Sequence, residues 1–167
     1  EITRVELPSP VIVASSTTAD DNSVEFTVTA IGDAAFLERN IGQVFIPDSV
    51  ISIGIEAFAA NVLERLRLGN NVATIEKAAF DKNNLTNIFI PSSVTFIGAV
   101  VFNNNPLTAV TSEGVDPATI SEDTFGERSE IDLFIPLGTC ESYIEAEWTG
   151  FKTFTETEID PGNRSSH

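Results

Sequence analysis

Apolar residues recur along this chain in aligned columns, not in one sustained helical or strand period. Phe36, Phe58, Phe80 and Phe102 stand 22 residues apart, and Phe125 follows after 23. An isoleucine lies five residues before each of them, at Ile31, Ile53, Ile75, Ile97 and Ile120, and a valine eight before the first four, at Val28, Val50, Val72 and Val94. Ile41, Leu63, Leu85 and Leu107 come five residues after the first four phenylalanines. The pairs Val44/Ile46, Leu66/Leu68, Ile88/Ile90 and Leu133/Ile135 come eight and ten after their own. A unit of this length is too short for a pair of helices and too long for a heptad. It also cannot bury its own few apolar side chains, so the pattern predicts a solenoid in which each turn seals the next.

Within a unit the period changes. Leu66-Arg67-Leu68 and Ile88-Phe89-Ile90 alternate with period 2, which predicts a short strand with two side chains inward and one outward. Pro47, Pro91 and Pro136 follow these strands and stop the ladder by removing an N–H donor; Gly69 takes that place in another unit. Stacked units then make the strands parallel neighbours about 4.8 Å apart along one face. Val50-Ile51-Ser52-Ile53-Gly54 predicts a second, shorter extended segment on the opposite face, and Glu56-Ala57-Phe58-Ala59-Ala60 a single helical or 3-10 turn. Asn61, Asn83 and Asn105 recur three residues after a phenylalanine, where buried amides satisfy turn carbonyls.

These residues carry a family resemblance. Ile88-Phe89-Ile90-Pro91-Ser92-Ser93-Val94-Thr95-Phe96-Ile97-Gly98 and Asp48-Ser49-Val50-Ile51-Ser52-Ile53-Gly54-Ile55-Glu56-Ala57-Phe58 resemble the BspA-type leucine-rich repeat. Leu63-Glu64-Arg65-Leu66-Arg67-Leu68-Gly69-Asn70-Asn71 is similar to the general leucine-rich strand. The resemblance covers residues 24–154. Glu76 and Ser121 depart from it at its glycine, Val101 at its alanine, and Val110-Thr111-Ser112-Glu113 lacks the Ile-Pro step. It implies a β-dominated leucine-rich-repeat solenoid, with parallel strands on one face, short extended segments and single helical or 3-10 turns on the other, and a cap at each end. It also implies a secreted or cell-surface bacterial protein associated with adhesion and with binding host or matrix proteins.

A solenoid exposes its last apolar layer unless something covers it. Residues 1–23 are expected to form a degenerate first coil with a hairpin insertion, in which Val5-Glu6-Leu7-Pro8 and Val11-Ile12-Val13 precede a polar stretch ending before Val24-Glu25-Phe26. Residues 24–137 hold the repeats. Residues 138–154 are expected to cap the far end, with Tyr143, Ile144 and Trp148 on one helical arc and Phe151 and Phe154 beyond it. Residues 155–167 read as an acidic tail, ending in Arg164-Ser165-Ser166-His167 as a purification-tag remnant. The chain contains no Met, and the expectation is of a mature or excised segment without a leader at Glu1.

Composition narrows the chemistry. Lys and Arg number 9 against 25 Asp and Glu, a net charge of −16, which argues against nucleic acid and against an anionic membrane surface. No run of 18 apolar residues exists, so membrane insertion is not expected. The single His closes the chain at His167, and the single Cys, Cys140, has no partner to activate it and reads as packing. No phosphate loop, Ser/His/Asp set or paired carboxylates appear, so neither catalysis nor a cofactor is expected. The adjacent Asp20 and Asp21 are the candidates for a metal, but they lack the spaced third carboxylate that calcium requires, and no metal site is assigned. Asn84-Leu85-Thr86 matches a glycosylation sequon, yet Leu85 belongs to a core column.

The remaining candidate is a row. Phe36, Phe58, Phe80, Phe102 and Phe125 are assigned to the core, and nine residues after each come Phe45, Arg67, Phe89, Thr111 and Phe134. Lying between inward neighbours, these five are expected to face solvent as an aromatic stripe with one arginine, the anchoring chemistry of a recognition face. The reading is therefore a non-enzymatic, monomeric module that binds an extracellular protein or glycan through this row. The alternative is an accessory or spacer module of a larger secreted enzyme, for example one acting on polysaccharide.

Overall fold

Within each repeat the β-branched and aromatic residues fall in two short runs separated by turn-forming residues, so one coil yields two strands and two bends. The computed structural model describes residues 5–6, 11–14 and 23–159. In chain order the strands are β1 (Val5–Glu6), β2 (Val11–Ala14), β3 (Ser23–Phe26), β4 (Ala30–Ile31), β5 (Gln43–Phe45), β6 (Ser52–Ile53), β7 (Arg65–Arg67), β8 (Thr74–Ile75), β9 (Asn87–Ile90), β10 (Phe96–Ile97), β11 (Ala109–Ser112), β12 (Asp132–Pro136) and β13 (Thr153–Thr157). A 3-10 turn, Arg128–Glu130, precedes β12, and helix α1 (Cys140–Glu145) lies between β12 and β13.

On one face two parallel ladders follow each other, β1-β5-β7 and β9-β11-β12-β13; on the other, β4-β6-β8-β10 form the expected second sheet. From β4 onward the register is one repeat, with Val44 facing Leu66, Ile53 facing Ile75, and Val110 facing both Ile88 and Leu133, whereas β1 meets β5 across the hairpin insertion, with Val5 facing Val44. The bends are laddered as well. The amides of Phe36, Phe58, Phe80 and Phe102 donate to the carbonyls of Ala57, Ala79, Val101 and Thr124 in the following coil, at 2.7 to 3.0 Å. The turn expected around Phe58 has i+3→i bonds, from Ala57 to Gly54 and from Ala59 to Glu56. It does not propagate as a helix, because left-handed residues stand two positions to either side of the phenylalanine. Glu56 (φ 54°) and Ala60 (φ 53°) have counterparts in Ala34, Ala78 and Val100, and in Glu38, Lys82 and Asn104.

The interior is the stack of phenylalanine rings. Centroids are 4.9, 5.4, 5.7 and 5.8 Å apart from Phe36 to Phe125, with interplanar angles of 3 to 7°. Phe58, Phe80, Phe102 and Phe125 are buried; Phe36, with a ring of this stack on one side only, is half-buried. Beside the rings runs an amide ladder. Asn83 accepts the amide of Leu63 at 3.0 Å and donates to the carbonyls of Phe58 and Phe80, and Asn61 and Asn105 repeat the arrangement one coil away. Each side chain thus joins two coils through backbone groups that would otherwise be buried unpaired. Close stacking also explains Gly54, where an added Cβ would lie 2.7 Å from the backbone nitrogen of Asp33 in the coil before.

At the N-terminal end β2 pairs antiparallel with β3, the expected hairpin, with Val11 opposite Phe26 and Ala14 opposite Ser23. Leu7, Pro8 and the polar stretch 15–22, including Asp20 and Asp21, lie outside the described residues, as does the segment from Arg164 to His167. At the C-terminal end Tyr143 and Trp148 are fully buried, with Trp148 5.4 Å from Phe125. Ile144, expected to be buried beside them, is 53% exposed: α1 is a single short segment, and placing Tyr143 inward turns its sequence neighbour out. The tail reading also needs correction from its first residues. Thr153–Thr157 form β13 and pair with β12 from Asp132 to Pro136, since alternate Thr and Phe suit a strand and β12 offers an edge.

Two stability measurements follow. Phe80→Ala is expected to cost roughly 3–5 kcal/mol in chemical denaturation by opening a cavity in the stack, with a smaller loss for Phe36→Ala. Glu56→Gly is expected to raise stability by up to about 1 kcal/mol. A left-handed L-residue costs roughly 1–2 kcal/mol and the glycine's added unfolded-state entropy returns only part of that.

Candidate functional site

The outward row depends on the ladders that hold it. β5 and β7 set Phe45 beside Arg67, and β9, β11, β12 and β13 set Phe89, Thr111, Phe134 and Thr155 side by side. The five residues singled out from the repeat therefore lie on one face, in two registered groups. The step between the groups falls where β7 and β9 belong to separate ladders, and there Leu66, expected inward, is half-buried.

Exposure differs from the expectation. Only Arg67 is exposed; Phe45, Phe89, Thr111 and Phe134 are half-buried. Parallel strands about 4.8 Å apart bring outward side chains of successive coils into contact, so each covers part of its neighbour. Among the residues whose burial is described, the exposed phenylalanine is instead Phe96 (38%), on β10 of the opposite sheet. The row is thus a shallow aromatic surface, not a comb of free rings.

A second outward row, two residues earlier on each strand, escaped the sequence reading: Gln43, Arg65, Asn87, Ala109 and Asp132. Gln43 faces Arg65, and Ala109 faces Asn87 and Asp132. Its signal lies in the same alternation, which puts both flanks of an inward residue outward. Arg65 and Arg67 are both exposed, on one face of one strand. β5, β7, β9 and β11 together carry these two arginines and no acid, although the chain is strongly acidic.

At its C-terminal end the face is anchored by Tyr143. Ser112 stands in the inward column where other coils have Ile46, Leu68, Ile90 and Ile135, and it is buried. The Tyr143 hydroxyl donates its one proton to the Gly114 carbonyl at 2.6 Å and lies 2.8 Å from Ser112 Oγ, whose own hydroxyl can donate back to it, so the polar intruder is paired and β11 keeps its register. The missing Ile-Pro step of this coil is compensated here. Burial pushes the Tyr143 phenol up to about 12, and the bond to Ser112 opposes part of that shift.

Arg128, also missed, lies three residues after Phe125, where the three preceding coils have asparagine. It donates to the carbonyls of Ser121 (2.6 Å), Glu147 and Thr149 (3.0 Å each), and its guanidinium sits 5.6 Å from the Phe151 ring. Burial lowers its pKa from the ordinary value, against the opposing fields of Glu122, Asp123 and Glu147. It does the work of the asparagine ladder at a point where the gap to the cap is longer.

Elsewhere an open dish on the bend side is lined by Asn103, Glu122, Asp123, Gly126 and Glu127. Among the described residues, no three His, Cys, Asp or Glu side chains are grouped to hold a metal. No helix of the described residues is long and apolar enough to cross a membrane. Cys140 is a free, half-buried thiol at the start of α1 and packs against the core.

Comparison with known proteins places this geometry in context. The family profile of the BspA type leucine rich repeat region matches residues 15–132 in 6 copies. Among curated proteins no significant match is found. A leucine-rich repeat protein from Bacteroides capillosus is 38% identical over 66% of this chain and 77% of its own, with a TM-score of 0.56. One from Eubacterium ventriosum is 23% identical over 68% of this chain and 31% of its own (TM-score 0.58). The pneumococcal vaccine antigen PcpA is 19% identical over 81% of this chain and 37% of its own (TM-score 0.53). The last two likenesses show the fold, and the chain spans about a third of each of those proteins.

The Tyr143 anchor makes a pH prediction. Its folded pKa lies above the ordinary phenol value near 10, so the folded chain keeps a proton that the unfolded chain loses. This contribution to stability is complete below about pH 10 and is lost as pH rises to about 12, by on the order of 2–3 kcal/mol. In urea titrations across that range, Tyr143→Phe is expected to start less stable at neutral pH and to show a flatter alkaline decline than the parent.

Proposed function

This chain belongs to the BspA-type leucine-rich repeat family, and on that premise we propose that it is a non-enzymatic recognition module that binds an extracellular protein or glycan through its strand face. Leucine-rich repeat domains generally mediate protein interactions, and proteins of the BspA type are typically bacterial surface proteins. The observation that supports this reading is the register of the outward row. Phe45 and Arg67 lie side by side, as do Phe89, Thr111 and Phe134, on a surface whose backbone is tied into parallel ladders. A prearranged surface loses little conformational entropy on binding, and aromatic and arginine side chains are the usual anchors of such contacts.

The half-buried rings refine the picture. An aromatic surface that is already partly covered keeps the free protein soluble, while the remaining area is available to a partner. Secretion or surface display and a monomeric state belong to the same proposal. A spacer in a larger secreted enzyme would need the stacked core but not the outward row.

The test is a triple variant, Phe45→Ser, Phe89→Ser and Phe134→Ser, compared with the parent in a binding screen against matrix proteins and glycans. The variant is expected to keep a cooperative unfolding transition and to lose capture of whatever the parent binds. Unchanged binding by a folded triple variant would remove the row from the account and favour the spacer reading.

A further inference from the structure

We propose that the strand face takes an extended acidic peptide segment, held by Arg65 and Arg67 acting as a paired carboxylate clamp; the inference rests on the strand-face reading above. The chain has a net charge of −16, yet β5, β7, β9 and β11 carry two arginines and no Asp or Glu. The nearest acid in sequence, Glu64, precedes β7 and lies outside the strand. The two arginines stand on one face of a single short strand, both exposed, and their mutual repulsion gains nothing for folding. The flanking strands restore acids, with Glu6 on β1 in register with Phe45 and Asp132 on β12 in register with Ala109, so the positive stretch is confined to β5 through β11.

Geometry selects the occupant. Arg65 and Arg67 are alternate residues of a strand, so their side chains leave the backbone roughly 6.7 Å apart. Alternate side chains of any extended peptide have the same spacing, so a segment with acids at every second position can match both guanidinium groups at once. Guanidinium and carboxylate pair through two parallel N–H···O bonds, a planar fit that a lysine pair would not reproduce. Phe45 flanks Arg67 in register on one side, and on the other Phe89 holds the corresponding position of the next coil, across the step between the two ladders. These half-buried rings lower the local water content and offer apolar contact to the intervening side chains of the peptide. The acidic surroundings then act as a specificity device, repelling an acidic partner everywhere except at this stretch.

The experiment uses the full chain and two fluorescent synthetic peptides, one with glutamate at alternate positions between valines and its glutamine counterpart. The glutamate peptide is expected to bind and to weaken as salt is raised, and the glutamine peptide to bind at least about tenfold more weakly. Arg65→Glu with Arg67→Glu is expected to abolish the preference. Lys77→Glu with Lys82→Glu, which makes the same change in net charge at exposed positions on the bends, is expected to leave it intact. Equal binding of the two peptides, absence of binding by the glutamate peptide, or equal losses in the two charge-reversal variants would overturn the proposal. So would a polyuronate glycan that binds more tightly than the peptide and displaces it. If a matrix protein captured by the parent is lost in the Phe45/Phe89/Phe134→Ser variant but retained in the Arg65→Glu/Arg67→Glu variant, the clamp is wrong and the strand-face reading stands.

Discussion

A coil of 22 residues has no interior of its own. Its inward side chains are covered only by the coils above and below, and its backbone amides find their partners in the same neighbours. In this chain both requirements demand one offset. The Phe58 amide donates to Ala79, while the Phe58 ring stacks 5.4 Å from Phe80. Asn83 adds a third tie at the same step, joining Phe58, Phe80 and Leu63 through one buried amide. A slip of one residue would break the apolar columns, the amide ladder and the asparagine bonds together. That shared dependence holds the register along the solenoid.

The outward positions are released from that constraint. Their backbone is placed by the ladders, but their side chains are not needed to fill the core, so Phe45, Arg67, Phe89, Thr111 and Phe134 can differ in chemistry without disturbing the stack. Such a division suits a recognition surface: rigid spacing comes from the interior, and specificity comes from what is mounted on it. The pair Arg65 and Arg67 illustrates this, because two like charges on one strand contribute nothing to packing.

The parts of the fold legible in the sequence were those that repeat. The columns through Ile53, Phe58 and Leu63, the paired strands and the buried asparagines all follow from one coil's needs multiplied along the axis. What was not legible was whatever happens once. Ser112 breaks an apolar column, and nothing local shows that Tyr143, 31 residues later, supplies its hydrogen bond. Arg128 replaces the asparagine of the three preceding coils with a longer reach to Glu147 and Thr149. Thr153–Thr157 lack the aliphatic columns yet join the ladder, because a strand edge accepts backbone from a run of threonines as readily as from isoleucines. The degree of exposure of the aromatic row was also out of reach, since alternation gives direction but not the cover supplied by adjacent coils.

The most direct test of the stacked architecture is to measure NMR scalar couplings across its hydrogen bonds. The account predicts couplings from the amide nitrogens of Phe36, Phe58 and Phe80 to the carbonyl carbons of Ala57, Ala79 and Val101, one coil further along the chain. Couplings from those amides to carbonyls four residues earlier, the signature of a helix around each phenylalanine, would contradict it.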